Sequence, residues 1–181
     1  MAGPVRLSHR RRFPELHLAT GTVALRPWAP ADAGALAQAW ADSAIARWTA
    51  VPADPTLRAA RDWIGGEATR RDRGVALDLV MGAAADPGVV RGELGVGPIE
   101  WGRGRAAVGF WVSAQARGQG LASAGMGLLA DWWDEAIGLE LVAATDRANP
   151  EAGAVLAANH FELVRTRGSR QAWRRRRIAP V

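Results

Sequence analysis

The 181-residue sequence contains no cysteine, no lysine and no tyrosine, and each absence removes a class of chemistry. Without cysteine there is no disulfide, thiolate metal site, iron–sulfur cluster or cysteine nucleophile. Without lysine there is no Walker-type phosphate loop, because that loop uses a lysine to reach the phosphates. Without tyrosine no phenol can serve as a general acid. No apolar run approaches the ~18 residues that a membrane-spanning helix needs. The first 20 residues carry Arg10, Arg11, Arg12 and Pro14 where a signal peptide needs an apolar stretch. These features read as a cytoplasmic protein without membrane attachment.

What is present is the balance of one globular domain, 49% hydrophobic and 23% charged. The net charge of +5 invites a polyanion-binding reading, but its distribution argues otherwise. Residues 1–14 hold four arginines and no acid, and residues 163–181 hold seven arginines and no acid. From Glu15 to Glu162, twelve arginines face eighteen acids, a net of −6. The expected organisation is a basic arm over 1–14, a single domain over 15–175 and a short tail over 176–181. The runs Arg10–Arg12 and Arg174–Arg177 read as solvated ends. A nucleic-acid module built on those ends is the reading they would support if they bound RNA or DNA.

Hydrophobic periodicity predicts a mixed α/β order with no internal repeat. Strands are expected at 22–26, 75–81, 89–99, 107–112, 139–145, 161–166 and 170–174, and helices at 32–41, 56–70, 121–137 and 151–158. The helix from Leu121 is the strongest, with Leu121, Gly125, Leu128, Leu129, Trp132 and Trp133 at helical spacing and Gly138 to stop it.

The chemistry concentrates where one strand ends and that helix begins, in Val108-Gly-Phe-Trp-Val-Ser-Ala-Gln-Ala-Arg117-Gly-Gln-Gly120-Leu-Ala122. Glycines permit positive φ and close approach of a ligand to the backbone. The helix start supplies unpaired N–H groups and the positive end of the helix dipole. Together these suit a phosphate or pyrophosphate. A dinucleotide fingerprint fits poorly, since Gly118-Gln-Gly120 lacks the third glycine and too little chain follows for a doubly wound sheet.

Arg117-Gly-Gln-Gly120-Leu-Ala122 resembles the Arg/Gln-x-x-Gly-x-Gly/Ala signature of the GNAT superfamily of acyl-CoA-dependent N-acyltransferases. Leu25-Arg-Pro-Trp28 with Asp32-Ala33 is similar to the opening of its RimJ/RimL-like branch. Val108–Val112 resembles the central strand of that branch, and Asn149-Pro-Glu151, Val155-Leu156 and Asn159-His-Phe161 resemble its later segment. The matches fall in family order over roughly residues 16–175.

The resemblance implies a mostly antiparallel sheet of six to seven strands, a splayed central parallel pair and about four flanking helices. It implies acetyl-CoA, or another acyl-CoA, as cosubstrate, and no metal. The pyrophosphate would sit on the backbone of Arg117, Gly118, Gln119, Gly120, Leu121 and Ala122. The pantetheine arm would lie along Phe110, Trp111 and Val112, with Asn149 orienting it and the Trp111 N–H stabilising the oxyanion. Trp28 and Trp48 would wall the site of the amine, which could belong to a protein N-terminus or a small molecule. A homodimer is left open.

Ala107 occupies the position where such proteins often carry a glutamate base, and Ala152 and His160 replace a serine and a glycine of the pattern. Glu100 is then the expected base, acting through a water, and His160 the expected proton donor. Glu93 and Asp146 are further acids of the same kind. A non-catalytic acyl-CoA-binding domain is the alternative that these departures motivate.

Overall fold

Alternation along the strands assigns the two faces of the sheet. In β3 (Leu77–Ala83), Leu77, Leu79 and Met81 enter one core, whereas Asp78 and Val80 turn to the other face. In β4 (Gly92–Glu100), Leu94 and Val96 join the first core. In β5 (Arg105–Val112), Ala106 and Val108 do so, while Trp111 lies in the second. The computed structural model describes residues 12–175.

The strands form one sheet in the order β1-β2-β3-β4-β5-β6-β8-β7. The remaining strands are β1 (Leu18–Ala19), β2 (Val23–Pro27), β6 (Glu140–Asp146), β7 (Phe161–Arg167) and β8 (Arg170–Arg175). Every neighbouring pair is antiparallel except β5 and β6, which run parallel. The expected mixed sheet is thus observed, with eight strands among the described residues because the two-residue β1 is too short to show a pattern.

The first core lies under α5 (Leu121–Ala136), whose Leu121, Met126, Leu129 and Trp133 are buried against the sheet. Trp133 is fully buried, and its indole N–H donates to the Leu139 carbonyl at 2.9 Å, so its burial leaves no polar group unmatched. Gly125 lets this helix approach closely: a Cβ there would stand 2.8 Å from Leu94 Cδ1. The second core packs α1 (Ala33–Ala41) and α3 (Leu57–Gly65) on the opposite face through Leu36, Trp40, Ala60 and Ile64.

Among the described residues, six α-helical segments stand where four were expected. The helix predicted over 56–70 divides at Gly65-Gly66 into α3 and α4 (Glu67–Asp72), since paired glycines have the weakest helix propensity outside proline. Thr56 caps α3 by accepting from the Ala59 N–H. The additional helix, α2 (Ser43–Trp48), starts on Asp42, which accepts from the Ala44 N–H at 2.8 Å. α6 (Pro150–Ala158) begins with Asn149 as cap and proline in its first turn.

At both ends, a residue read from charge as solvated is buried instead. Phe13, assigned by charge to the basic arm, is buried against Trp101 and Trp133. Arg175, assigned to a solvated run, is buried at the end of β8. Residues 1–11 and 176–181, including Arg10, Arg11, Arg176 and Arg177, lie outside the described residues.

Candidate active site

β5 and β6 pair at Arg105–Glu140, Ala106–Leu141 and Ala107–Val142, and then diverge. Val108–Trp111 and Ala143–Asp146 face each other across a cleft of about 1010 Å³ that continues under α2 and α3. A parallel pair that stops pairing leaves main-chain groups on both facing edges without partners, which is what an extended ligand can use.

Register decides which groups those are. The Ser113 N–H donates to the Arg91 carbonyl at 2.8 Å, so residues 91 and 113 form a hydrogen-bonded pair. Pairing alternates every second residue in an antiparallel ladder, which turns the main chain of Trp111 and Gly109 toward β4. Val108, Phe110 and Val112 therefore face the opposite edge. On the β6 side, the Glu140 N–H donates to the Gly104 carbonyl at 2.9 Å, in agreement with the same parity. The N–H expected from Trp111 is thus directed into the sheet, and Phe110 presents the N–H that faces the splay.

The glycine loop follows β5 directly. Gly118 and Gly120 have φ of 73° and 75°, the left-handed conformation the sequence implies, and nothing crowds the space a Cβ would take. Gly120 is the N-cap of α5 and supplies no capping side chain. The side chains of Leu121 and Ala122 are buried in the core, so these residues offer only their N–H groups. Gln119 donates to the Gln115 carbonyl at 2.9 Å. Arg117 leans away from the loop: its Nε donates to the Val112 carbonyl at 3.1 Å and its Nη2 to Asp42 at 2.7 Å. Asp42, lowered by the Ala44 N–H and by Arg117, stays ionised and balances that charge. Asn149 lines the cleft, but its side-chain oxygen is engaged as the cap of α6, accepting from the Ala152 N–H at 3.2 Å.

The acids sort by the faces they occupy. Glu100 does not line the cleft; Arg105 and Arg103 both donate to it, and Arg105 first among them holds its carboxyl below the usual range. It is not placed to take a proton from a substrate. His160 sits exposed with φ of 63° between α6 and β7, away from the cleft, and is not placed to donate one. Asp146 lines the cleft, but Ser169 and the Ala148 N–H occupy its two oxygens and lower it.

Glu93 is different. It lines the cleft half-buried, and burial together with the charge of Asp78 pushes its carboxyl up to about 8. Its Oε2 accepts from Trp111 Nε1 at 2.7 Å. Asp78, raised by burial, accepts from Arg70 Nε at 3.0 Å on its Oδ2. Arg70 is fixed in turn by the Trp63 carbonyl at 3.1 Å and by the Trp63 ring 4.3 Å away.

Of the two tryptophans expected at the amine site, Trp48 lines the cleft, with Arg47 stacked over it at 4.5 Å. Trp28 does not line it; it is buried in the second core, packed edge-on against Trp63 and tilted against Trp111. Trp40 and Trp63 take its place on the wall. Among the described residues, no three His, Asp or Glu are grouped to hold a metal ion, and no helix is long and apolar enough to cross a membrane.

The acetyltransferase (GNAT) domain profile matches residues 22–162, and the chain belongs to that family. Among solved structures, the Mycobacterium smegmatis RimJ complex with CoA-disulfide is 22% identical over 88% of this chain and 85% of that one, with a TM-score of 0.75. The RimL ribosomal L7/L12 alpha-N-protein acetyltransferase in complex with coenzyme A is 19% identical over 88% and 97%, with a TM-score of 0.77. The microcin C7 self-immunity acetyltransferase MccE, in complex with acetyl-CoA and AMP, is 16% identical over 86% and 93%, with a TM-score of 0.74. Among curated proteins none matches the chain.

Proposed function

We propose that the protein transfers an acyl group, acetyl in the first instance, from acyl-CoA directly to a primary amine. The observation that carries this reading is the divergence of β5 from β6, with the Phe110 N–H facing the gap one turn of loop away from the uncapped start of α5. The gap accepts an extended pantetheine arm as an added strand. The N–H groups of Gly118 to Ala122 donate to the pyrophosphate oxygens. Relatives with this fold carry CoA or acetyl-CoA in their complexes, which supports the same cosubstrate here.

Phe110 N–H polarises the thioester carbonyl and holds the oxyanion that forms when the amine adds. Glu93 takes the proton that the ammonium must lose before it can attack. The amine nitrogen then bonds to the carbonyl carbon, the C–S bond breaks, and a second proton from nitrogen goes to the departing thiolate. No acyl-enzyme is needed, since positioning supplies much of the rate. The acceptor class named for RimL, the N-terminus of a protein, is one this open cleft can admit, and the cytoplasm is the proposed place of action.

Calorimetry with acetyl-CoA should show one saturable site, and thiol release should depend on an added amine. Absence of saturable binding at high micromolar concentration overturns the reading. Binding without turnover on any peptide or small amine would favour a non-catalytic acyl-CoA sensor.

A further inference from the structure

A second cavity, of about 220 Å³, lies between the α3–α4 pair and the chain just after β2, and it shares no lining residue with the cleft. Trp28, Glu67 and Arg71 line it, each more than nine-tenths buried. Each of the three keeps a buried polar atom without a hydrogen bond: Trp28 Nε1, Glu67 Oε1 and Arg71 Nε. Elsewhere among the described residues only Arg70 Nη2 and Arg91 Nε share that condition. Buried polar atoms are nearly always bonded, so three such atoms around one cavity point to a missing partner.

The three side chains are held in place by their own elements. Glu67 and Arg71 stand one turn apart on α4. The Arg71 carbonyl accepts from the Phe13 N–H at 3.2 Å, which brings the segment carrying Glu15 to the rim. The Trp28 ring packs against Trp63 and Trp111, which keeps its indole from turning to a partner elsewhere.

Charge in the cavity is balanced. Glu67 Oε1 and Arg71 Nε lie 3.3 Å apart as an ion pair, without the alignment of a hydrogen bond. Arg71 Nη2 also meets the exposed Glu15 at 3.5 Å, and Arg61 supplies a second cation. Two acids and two arginines leave no net charge to attract an ion. Pro27, Pro30 and Ile64 add apolar wall. What is unmet is directional: two N–H donors lack an oxygen, and one carboxylate oxygen lacks a donor. The neighbouring donor and acceptor on α4 complement the C=O and N–H of a single carboxamide, and Trp28 Nε1 can serve the second lone pair of its carbonyl oxygen. One water takes up ~30 Å³ in the liquid, so the cavity has room for a small organic molecule rather than for one bridging water.

We propose that this cavity is a ligand site for a small neutral carboxamide on a flat apolar body, with the carbonyl oxygen held by Trp28 Nε1 and Arg71 Nε and the N–H by Glu67 Oε1. The site is separate from the cleft and does not rest on the acyltransferase reading.

The probe is 4-fluorobenzamide, followed by fluorine NMR with the whole chain. Two analogues accompany it: 4-fluoroacetophenone, which keeps the carbonyl and loses the N–H, and 4-fluorobenzoate, which adds a charge. The amide should bind saturably and both analogues at least tenfold more weakly. Binding should persist in excess CoA; displacement by CoA would put the probe in the cleft and overturn the assignment. Trp28→Phe removes the indole N–H, and Ala68→Phe sets a ring at an exposed helix position on the rim. Each should weaken amide binding tenfold or more. Equal affinity for amide and ketone overturns the site, as does undiminished amide binding in either folded variant or the absence of saturable binding to the wild type. Should thermal unfolding show that Trp28→Phe loosens the core, Ala68→Phe decides alone. Failure of CoA to bind would remove the acyltransferase reading and leave this result standing.

Discussion

Trp111 Nε1 donates to Glu93 Oε2 at 2.7 Å between register partners on β5 and β4, so the acid proposed as the base is oriented by the strand whose open edge is proposed to take the cosubstrate. The bond fixes one carboxylate oxygen and leaves the other for chemistry. Trp111→Phe keeps the ring and removes the donor. It should lower kcat for acetyl transfer about tenfold with little change in acetyl-CoA affinity, measured by steady-state kinetics and calorimetry. A wild-type kcat would show that the indole merely packs.

Glu93 must be ionised to accept a proton, and burial with Asp78 nearby places its carboxyl at about 8. The rate should therefore rise with pH to a plateau above roughly pH 8. Glu93→Gln should cost about 10²-fold or more and lose that limb of the profile. An acceptor amine of low pKa keeps its own titration out of the window. An unaltered profile in the variant would remove Glu93 from the mechanism.

The same shift has a cost in stability, with a definite sign. A carboxyl raised in the folded state binds more protons there than in the unfolded chain between its ordinary value and about 8. Stability from this group is present below the ordinary glutamate value and declines as pH rises through the interval. Relative to wild type, Glu93→Gln should thus gain about 4 kcal/mol of stability between pH 5 and pH 8.5. Urea unfolding at the two pH values measures this; a difference that does not grow with pH contradicts the assignment.

How far the sequence foretold this site depended on range. The sixteen residues of α5 repeat their apolar face often enough to be read, and Gly118 and Gly120 announced positive φ before it. α2 escaped because six residues make fewer than two turns. Glu100 and Glu93 are two glutamates on one strand; what separates them is that Arg103 and Arg105 neutralise the first, while the second meets Asp78 from another strand. Asp78 and Glu93 are invisible as neighbours until β3 and β4 are placed in register. The same holds for the N–H at Phe110, because the parity of a strand cannot be read from its residues.

The glycine loop offers a prediction in two substitutions. Gly120→Ala places a side chain at φ of 75° with open space around it, so it should cost ~1 kcal/mol of stability and leave CoA binding nearly intact. Gly120→Glu adds a negative charge at the N–H groups proposed to hold the pyrophosphate and should weaken CoA by 100-fold or more. Thermal unfolding and calorimetry separate the two effects. Equal CoA loss in both variants would make the conformation, not the charge, responsible.

Asp42 holds Arg117 at 2.7 Å and also caps α2. Asp42→Asn can keep the cap while freeing the guanidinium. Because the ion pair is partly exposed, its loss should cost under ~1 kcal/mol. The released Arg117 should tighten CoA binding two- to fivefold at low salt, with the gain vanishing at high salt. Calorimetry at two salt concentrations tests this, and unchanged affinity at both would mean Arg117 acts only as a strut.

Arg174 and Arg175 adjoin in sequence and differ in consequence. Arg174 is exposed, with Glu140 at 3.6 Å, so Arg174→Ala should change stability by less than ~0.5 kcal/mol. Arg175 is buried and donates to Asp134, to Asp131 at 3.0 Å, and to the Ala130 and Asn159 carbonyls. It thereby ties the end of β8 to α5 and to the turn after α6. Arg175→Met retains much of the side-chain volume but strands the partly buried Asp134 and two carbonyls. It should cost about 3 kcal/mol, within the range for breaking a buried pair. Pairing it with Asp134→Leu should recover part of that loss, because the uncompensated charge rather than the missing contact carries most of the penalty. Denaturant unfolding of the two single variants and the double variant completes the cycle, and strict additivity would refute that account.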